Sequence, residues 1–354
     1  MITLPSGRKI SPGQPPFIIA EVGSNWRTLD DCKQSIAMAK RAGADAVKFQ
    51  AFTHEALYGG PPPKVGVRFG FVGDPPDDHR PHELPLDWLP ILAEKAKDTG
   101  IEFMVSAFSP ELVQAVDPYV NLHKVASAEL SHLRILEAVR DTGKRVVLST
   151  GASGPKDVAE ALRVLETAIP TRAPNGYVPP TWEHKVVLMY CVAAYPARDI
   201  DFRMLDELKQ RFECPVGYSD HTTDYNVIPR TAVEWGACVL EKHFTAIEAD
   251  TPDRPHSLTV DEFKKMVQSI KGERPFSWGS GEEKDMMTRH NRRLIATKEI
   301  KAGQTLQEGE NFGIYRSLQE DTRGLSGFAA PSVNGRVAAK AIQAGQAIGP
   351  GDFN

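Results

Sequence analysis

The stretch GYSDHTTDYN, residues 217–226, sets Ser219, Asp220, His221 and two threonines directly behind the short apolar run Pro215–Tyr218. A second histidine, His243, follows Glu241 by two residues in EKHF, so both point to one strand face. Two imidazoles from neighbouring strands could reach one divalent ion together. Imidazole suits manganese, iron, cobalt or zinc better than magnesium, and a two-histidine set leaves coordination positions open for water or substrate. Lys48 with Gln50 in DAVKFQ, and Lys124 in LHKVAS, add two cations at the ends of other apolar runs. Ser106, Ser127, Ser149 and Thr150 add hydroxyls, and Glu21 and Cys191 stand at equivalent places. Two lysines and several hydroxyls converging on one mouth make a pocket for phosphate and carboxylate groups. Each residue alone has a plainer reading. A lone strand-end histidine is ordinarily a hydrogen-bonded structural residue, and a buried lysine can be an ion-pair partner of Glu21 or Glu241, or a Schiff-base amine.

The elements that must bring these residues together repeat in order. β-like runs occupy 16–23, 45–50, 102–108, 122–127, 145–150, 186–191, 214–219 and 237–244, most of them apolar on both faces as buried parallel strands are. Amphipathic helix patterns separate them: Leu29–Ala42, Leu86–Thr99, Ser131–Thr142, Lys156–Ala168, Phe202–Phe212, Asn226–Trp235 and Val260–Lys271, with a weaker pattern at Pro110–Val116. Glycine follows the first three, as expected of helix C-caps. Eight strand–helix units predict an α/β fold, a (β/α)₈ TIM barrel, in which strand C-termini carry the chemistry. A doubly wound sheet would want a GxGxxG turn after the first strand, and EVGSNWRT is not one. Two insertions break the rhythm: Ala51–Pro85, on the active face, and Pro170–His184, on the opposite one. Gly272–Lys284 reads as a linker. Beyond it LIATKEIKAGQTLQEGENF (294–312) resembles RVAAKAIQAGQAIGPGDF (336–353), a weak internal repeat that predicts a small β-rich domain with pseudo-symmetry. The expected division is 1–283 for the barrel and 284–354 for the second domain.

A formal net charge of -4 gives no reason to expect nucleic acid or an anionic membrane as partner. The N-terminal residues have no apolar signal-like region, no window is apolar enough to span a bilayer, and the four cysteines form no CxxC pair. A cytoplasmic protein with small buried cysteines is the expectation.

The ordered set IIAEVG, AGADAVKFQ, KVASAE, LSTGAS, PVGYSDHT and EKHFT, followed by PDRPHSLTVDEF, resembles the N-acetylneuraminate (sialic acid) synthase family, and residues 294–354 resemble its C-terminal SAF (antifreeze-like, β-clip) domain. The resemblance implies condensation of phosphoenolpyruvate with an open-chain aldose such as an N-acetylhexosamine, with phosphate released by C–O cleavage. It implies a divalent metal, manganese first with magnesium or cobalt as alternatives, and a domain-swapped homodimer. Carried onto this chain, His221 and His243 would be metal ligands and Glu21 the general base. Lys48, Ser106, Lys124, Ser127, Ser149 and Ser219 would hold phosphoenolpyruvate. Gln50, Glu129, Tyr195 and Asp253 would line the sugar site, and Arg316 of IYRS would reach the partner's. The chain departs from the family at Ser24–Thr28, where I-N-H-N-G is usual, at Ala193, where Asn is usual, and at Val105–Ser106–Ala107–Phe108, where S-T-P-F is usual. Both lysines and both histidines remain, but the acceptor sugar does not follow. Two other classes compete: a Schiff-base aldolase using Lys124 or Lys242, and a non-catalytic sugar-binding relative.

Overall fold

The computed structural model describes residues 2–58, 80–166, 185–271, 292–316 and 324–354; the side chains of Tyr58 and Arg316 lie outside the description, as do most of the Ala51–Pro85 insertion, the Pro170–His184 insertion and the linker at Gly272–Lys284. The chain divides into two compact units, Met1–Gly272 and Glu273–Asn354, so the expected 283/284 boundary falls outside the described residues.

The first unit opens with a short hairpin, β1 (Ile2–Thr3) and β2 (Lys9–Ile10). Eight parallel strands follow: β3 (Phe17–Glu21), β4 (Ala46–Ala51), β5 (Glu102–Ala107), β6 (Leu122–Val125), β7 (Arg145–Ser149), β8 (Val186–Cys191), β9 (Val216–Asp220) and β10 (Val239–Thr245). β10 pairs with both β9 and β3, which closes the sheet into the barrel expected from the eight runs. A two-residue strand, β11 (Leu258–Thr259), adds to the upper end of β10.

The helices are α1 (Leu29–Ala42), α2 (His54–Tyr58), α3 (Leu89–Thr99), α4 (Pro110–Val116), α5 (Leu133–Asp141), α6 (Pro155–Glu166), α7 (Arg203–Phe212), α8 (Val227–Glu234) and α9 (Val260–Lys271). The weaker pattern at Pro110–Val116 does form a helix, because Ser109 caps it by accepting from the Leu112 N–H. The pattern at Leu86–Thr99 divides into a 3₁₀ turn, Leu86–Trp88, and α3. The start of α1 is fixed by a reciprocal capping box between Thr28 and Asp31.

Strand alternation creates two cores. Ile18, Ala20, Val47, Phe49, Val105, Leu148, Leu188 and Leu240 point outward and pack with the helices. Their alternates Phe17, Ile19, Ala46, Met104, Leu122, Val147, Val187, Met189 and Val239 point to the barrel axis, where Ile2, Leu4 and Ile10 of the hairpin join them. The hairpin therefore seals the N-terminal end of the barrel with apolar side chains, each worth about 1.5–3 kcal/mol when buried. Everything polar on the axis is left for the other end.

In the second unit β12 (Arg292–Ala296) pairs antiparallel with β13 (Phe312–Arg316). The repeat has a structural counterpart. Gly303 donates to the Ala338 carbonyl and Gly345 to the Ala296 carbonyl, both at 2.8 Å, while Ile300 and Ile342 exchange a pair of backbone hydrogen bonds. Each copy also folds its own glutamine back, Gln304 accepting from Lys301 N–H and Gln346 from Gln343 N–H, both at 3.0 Å. The two copies face each other about a pseudo-two-fold around Leu294, Ile300, Leu306, Phe312, Ile342 and Ile348.

Candidate active site

Continuing the inward positions upward from the apolar floor gives Glu21, Lys48, Ser106, Lys124, Ser149, Cys191, Ser219, Glu241 and His243, all buried. The switch from apolar to ionic along one face of each strand is what creates the site. Lys48 Nζ pairs with Glu21 Oε2 at 2.7 Å and with Glu241 Oε1 at 3.6 Å, and donates to Ser106 Oγ at 3.0 Å. Gln50 Nε2 donates to Glu21 Oε1 at 2.7 Å. Lys124 Nζ donates to Ser149 Oγ at 2.9 Å and lies 3.9 Å from Glu241 Oε2. Ser219 Oγ donates to Glu241 Oε1 at 3.3 Å. Glu21, Lys48, Gln50, Ser106, Lys124, Ser149 and Ser219 thus form one network, as the sequence predicts, but its centre is Glu241. The ion pair that the sequence allows between a buried lysine and Glu21 or Glu241 is formed at both carboxylates, and Glu241 reaches both lysines.

The two carboxylates are driven apart. Burial and the neighbouring Glu241 raise Glu21, against the opposing pull of Lys48. Burial alone would raise Glu241 too, but Lys124 and Lys48 outweigh it and hold it below the usual range. Environments that separate two like groups assign their roles, so Glu21 is the one that more readily takes a proton. The lysines diverge as well. Burial would lower Lys48, yet Glu21 and Glu241 keep it above its ordinary value. Burial does lower Lys124, with Glu241 only partly offsetting it.

Ser127 and Glu129 share a 3₁₀ turn after β6. Ser127 Oγ accepts from the Gly151 N–H at 3.1 Å. Burial raises Glu129, and no ion pair or side-chain hydrogen bond among the described residues joins it to the lysine–carboxylate network. Lys242 belongs to the opposite face. Its neighbours Leu240 and Phe244 pack against the helices, and its Nζ is held by Asp220 Oδ2 at 2.8 Å and by the Thr222 carbonyl at 2.5 Å. It has no path to the axis, which removes it as a Schiff-base amine.

Above the network lies a cluster of rings. His221 Nδ1 is 2.8 Å from the Val192 carbonyl, which can only accept, so Nδ1 carries the proton and Nε2 the lone pair. Nε2 is 3.2 Å from the Tyr195 hydroxyl, and the two rings stack at 4.0 Å. The His221 and His243 ring centres are 5.7 Å apart, and Nδ1 of His243 is buried with no hydrogen-bond partner among the described residues. Burial pushes His221 down to about 4 and His243 well below its ordinary value, so both are neutral near pH 7, the form that binds a metal. Two neutral buried imidazoles with a lone pair directed into the cluster fit a divalent transition ion.

Asp253 stands beside them on the loop after β10. Its burial is outweighed by the imidazoles of His243 and His256, so it stays well below the usual carboxylate range. Its Oδ2 accepts from the Ser24 N–H at 2.7 Å and its own N–H donates to Ser24 Oγ at 3.2 Å, which stitches the β3 loop to the β10 loop. The approach requires glycine at position 23, where φ is +55° and a Cβ would collide with the Asp253 carboxylate. Of the departures, Trp26 is buried: its Nε1 donates to the Gly23 carbonyl at 3.1 Å and its ring meets Trp88 edge-on at 5.6 Å. Arg316 ends β13, and its side chain is outside the description.

The NeuB family model matches residues 35–275. The chain is 32% identical over 296 residues to the N,N'-diacetyllegionaminic acid synthase of Legionella pneumophila, covering 79% of each. It is 30% identical over 358 residues to the pseudaminic acid synthase of Campylobacter jejuni serotype O:2, covering 95% of this chain and 96% of that one. The crystal structure of N-acetylneuraminic acid (sialic acid) synthetase from Leptospira borgpetersenii, in complex with citrate, matches with a TM-score of 0.65 and 26% identity over 81% of this chain and 95% of that chain. With the family model matching most of its length and the lysine–carboxylate mouth in place, this chain belongs to the NeuB family.

Proposed function

We propose that the protein condenses phosphoenolpyruvate with an open-chain aldose of the N-acetylhexosamine kind into a nonulosonic acid, releasing phosphate. The observation that carries this is the pair of buried lysines, Lys48 and Lys124, set among Ser106, Ser149 and Ser219 on the barrel axis. Such a set suits the phosphate and carboxylate of phosphoenolpyruvate, with Ser127 at its edge. His221 and His243 would hold a divalent ion, manganese by preference, which supplies Lewis acidity at the sugar's carbonyl oxygen when bound. Gln50, Tyr195, Asp253 and Glu129 orient the sugar.

C3 of phosphoenolpyruvate forms the new bond to C1 of the aldose, leaving C2 electron-poor. Water adds to C2 as Glu21 accepts its proton. The C2–O bond to phosphate then breaks with its electron pair going to the phosphate, and Lys48 and Lys124 stabilise that charge. The balance is phosphoenolpyruvate plus aldose plus water to nonulosonic acid plus phosphate.

The second unit, read as a SAF domain, docks over the mouth of a second subunit and brings Arg316 to the sugar's acyl group. Ile314, Tyr315 and Phe328 support this: all three are exposed on that small unit, Phe328 at 98%. Four free, buried cysteines favour the reducing cytoplasm, and no helix among the described residues is long and apolar enough to cross a membrane.

The test is phosphate release from phosphoenolpyruvate with a panel of aldoses in ¹⁸O-labelled water. Label in the keto acid and not in the phosphate is expected, with loss of turnover in chelator and recovery with manganese. Label in the phosphate, or turnover that survives chelation and is trapped by borohydride at Lys124, overturns the reading. For the second unit, mixing Arg316→Ala chains with His221→Ala chains should restore part of the activity, and subunit exchange without rescue removes the swapped arrangement.

A further inference from the structure

A third histidine enters the ring cluster from a place the strand pattern does not mark. His256 ends the 3₁₀ turn Arg254–His256, between β10 and β11, and is buried. Its ring centre is 4.5 Å from that of His243 and 4.8 Å from that of Tyr195. Its Nε2 lies 3.3 Å from Asp253 Oδ1 without hydrogen-bond geometry, and so has no hydrogen-bond partner among the described residues. One ligand atom each from His243, Asp253 and His256 fall within 4.8 Å of one another, and all three residues are more than nine-tenths buried.

The placement is built in. Asn25, fully buried on the β3 loop, donates from Nδ2 to the Phe244 carbonyl at 3.0 Å and to Ser257 Oγ at 2.8 Å, while its Oδ1 accepts from Thr251 Oγ1 at 2.6 Å. Ser257 Oγ in turn donates to the Asp253 carbonyl at 2.6 Å. The turn carrying Asp253 and His256 is therefore clamped at both ends to the upper rim of β10.

The distances match a coordination sphere. A metal–nitrogen bond of about 2.1 Å puts an imidazole centre about 3.2 Å from the ion, so two imidazoles at right angles have centres about 4.5 Å apart. His243 and His256 have that separation, while His221, its ring centre 5.7 Å from that of His243, stands next to the compact set of His243, Asp253 and His256 rather than within it. We propose that His256 is a ligand of the divalent ion, a third imidazole beside His221 and His243, on the side shared with Asp253. This rests on the metal-dependent reading above and adds a donor to it. Three imidazoles favour manganese, iron, cobalt or zinc over magnesium more strongly than two do.

The test reads metal binding rather than turnover. Chelator-stripped protein is titrated with Mn²⁺, followed by electron paramagnetic resonance, and with Co²⁺, followed by visible absorption. His256→Ala and the more space-filling His256→Asn should each weaken Mn²⁺ binding by at least about tenfold, the low end of what loss of a supporting partner causes at such sites. The Co²⁺ spectrum should change, and the metal-free variants should melt where the metal-free parent does. Pulsed resonance on the Mn²⁺-loaded parent should count three imidazole nitrogens, a readout that needs no variant. Parent-like Mn²⁺ affinity and an unchanged Co²⁺ spectrum in both variants, or two nitrogens in the parent, overturn the inference. If His221→Ala loses the metal while the His256 variants keep it, the inference falls and the proposed function stands. A parent that binds neither ion removes both.

Discussion

Lys124 and Lys242 are both buried lysines on barrel strands, and their surroundings differ in kind. Lys124 faces the axis, where the Ser149 hydroxyl holds it at 2.9 Å and its other two neighbours, the Val125 carbonyl at 3.3 Å and Glu241 Oε2 at 3.9 Å, hold it only loosely. Lys242 faces the helices, and Asp220 Oδ2, the Thr222 carbonyl and Thr222 Oγ1 take up its three protons. Burial lowers both, and Asp220 only partly offsets it at Lys242. The difference shows that burial of a charge does not mark a reactive group. What marks it is loosely engaged donors on the face where substrate can arrive.

That contrast can be broken most forcefully at Lys242. Lys242→Met strands the Asp220 carboxylate in the interior, and unfolding in denaturant should show a loss of about 3–5 kcal/mol. Lys242→Met with Asp220→Leu should recover most of it. The folded fraction of the single variant should turn over normally, and a stable but inactive Lys242→Met would place that lysine in the chemistry. Lys124→Met should behave in the opposite way. Its melting point should hold while kcat falls by about 10²–10³, the usual cost of losing one charge-stabilising donor. Normal turnover would remove Lys124 from the phosphate site.

Smaller effects separate the rim from the outer layer. Asn25→Ala removes three hydrogen bonds that clamp the β10 loop, two of them buried, and should cost about 1–3 kcal/mol and raise the sugar KM more than the phosphoenolpyruvate KM. Equal changes in both would confine Asn25 to the fold. His123 faces outward from β6, with Nε2 2.9 Å from Asp117 Oδ1, which also pairs with Lys144 at 2.8 Å. Burial lowers His123 against the partial pull of Asp117. The unfolded chain therefore takes the proton first as pH falls below about 6.5, so the neutral ring's contribution is complete above that pH and is lost below it. His123→Gln should flatten the stability–pH curve there by less than about 1.4 kcal/mol per unit, with little change at pH 8. A slope identical to the parent's would remove His123 as its source.

Local pattern carried a long way in this molecule. Each barrel strand was marked by its own apolar run, and the residues ending those runs, from Glu21 through Lys48, Lys124 and Ser149 to His243, are the ones that converge. Repetition within the chain likewise announced the paired copies around Ile300 and Ile342. Such features are local: period-two alternation, caps and turn residues act within a few positions and can be read there. Glu241 as the hub between two lysines could not be read so, because its partners come from β4 and β6 and meet it only across the closed barrel. The alternation that puts Glu241 and His243 on one face puts Lys242 on the other, but its pairing with Asp220 of the neighbouring strand could not be read there. His256 lies on an irregular turn with no periodicity, and it faces His243 because Asn25, more than two hundred residues away in the chain, clamps that turn to the rim. The chain's own order determined which side chains stand at the mouth; only closure of the barrel and the stitching of its loops decided which of them touch, since contact between distant segments is set by packing and not by neighbouring residues.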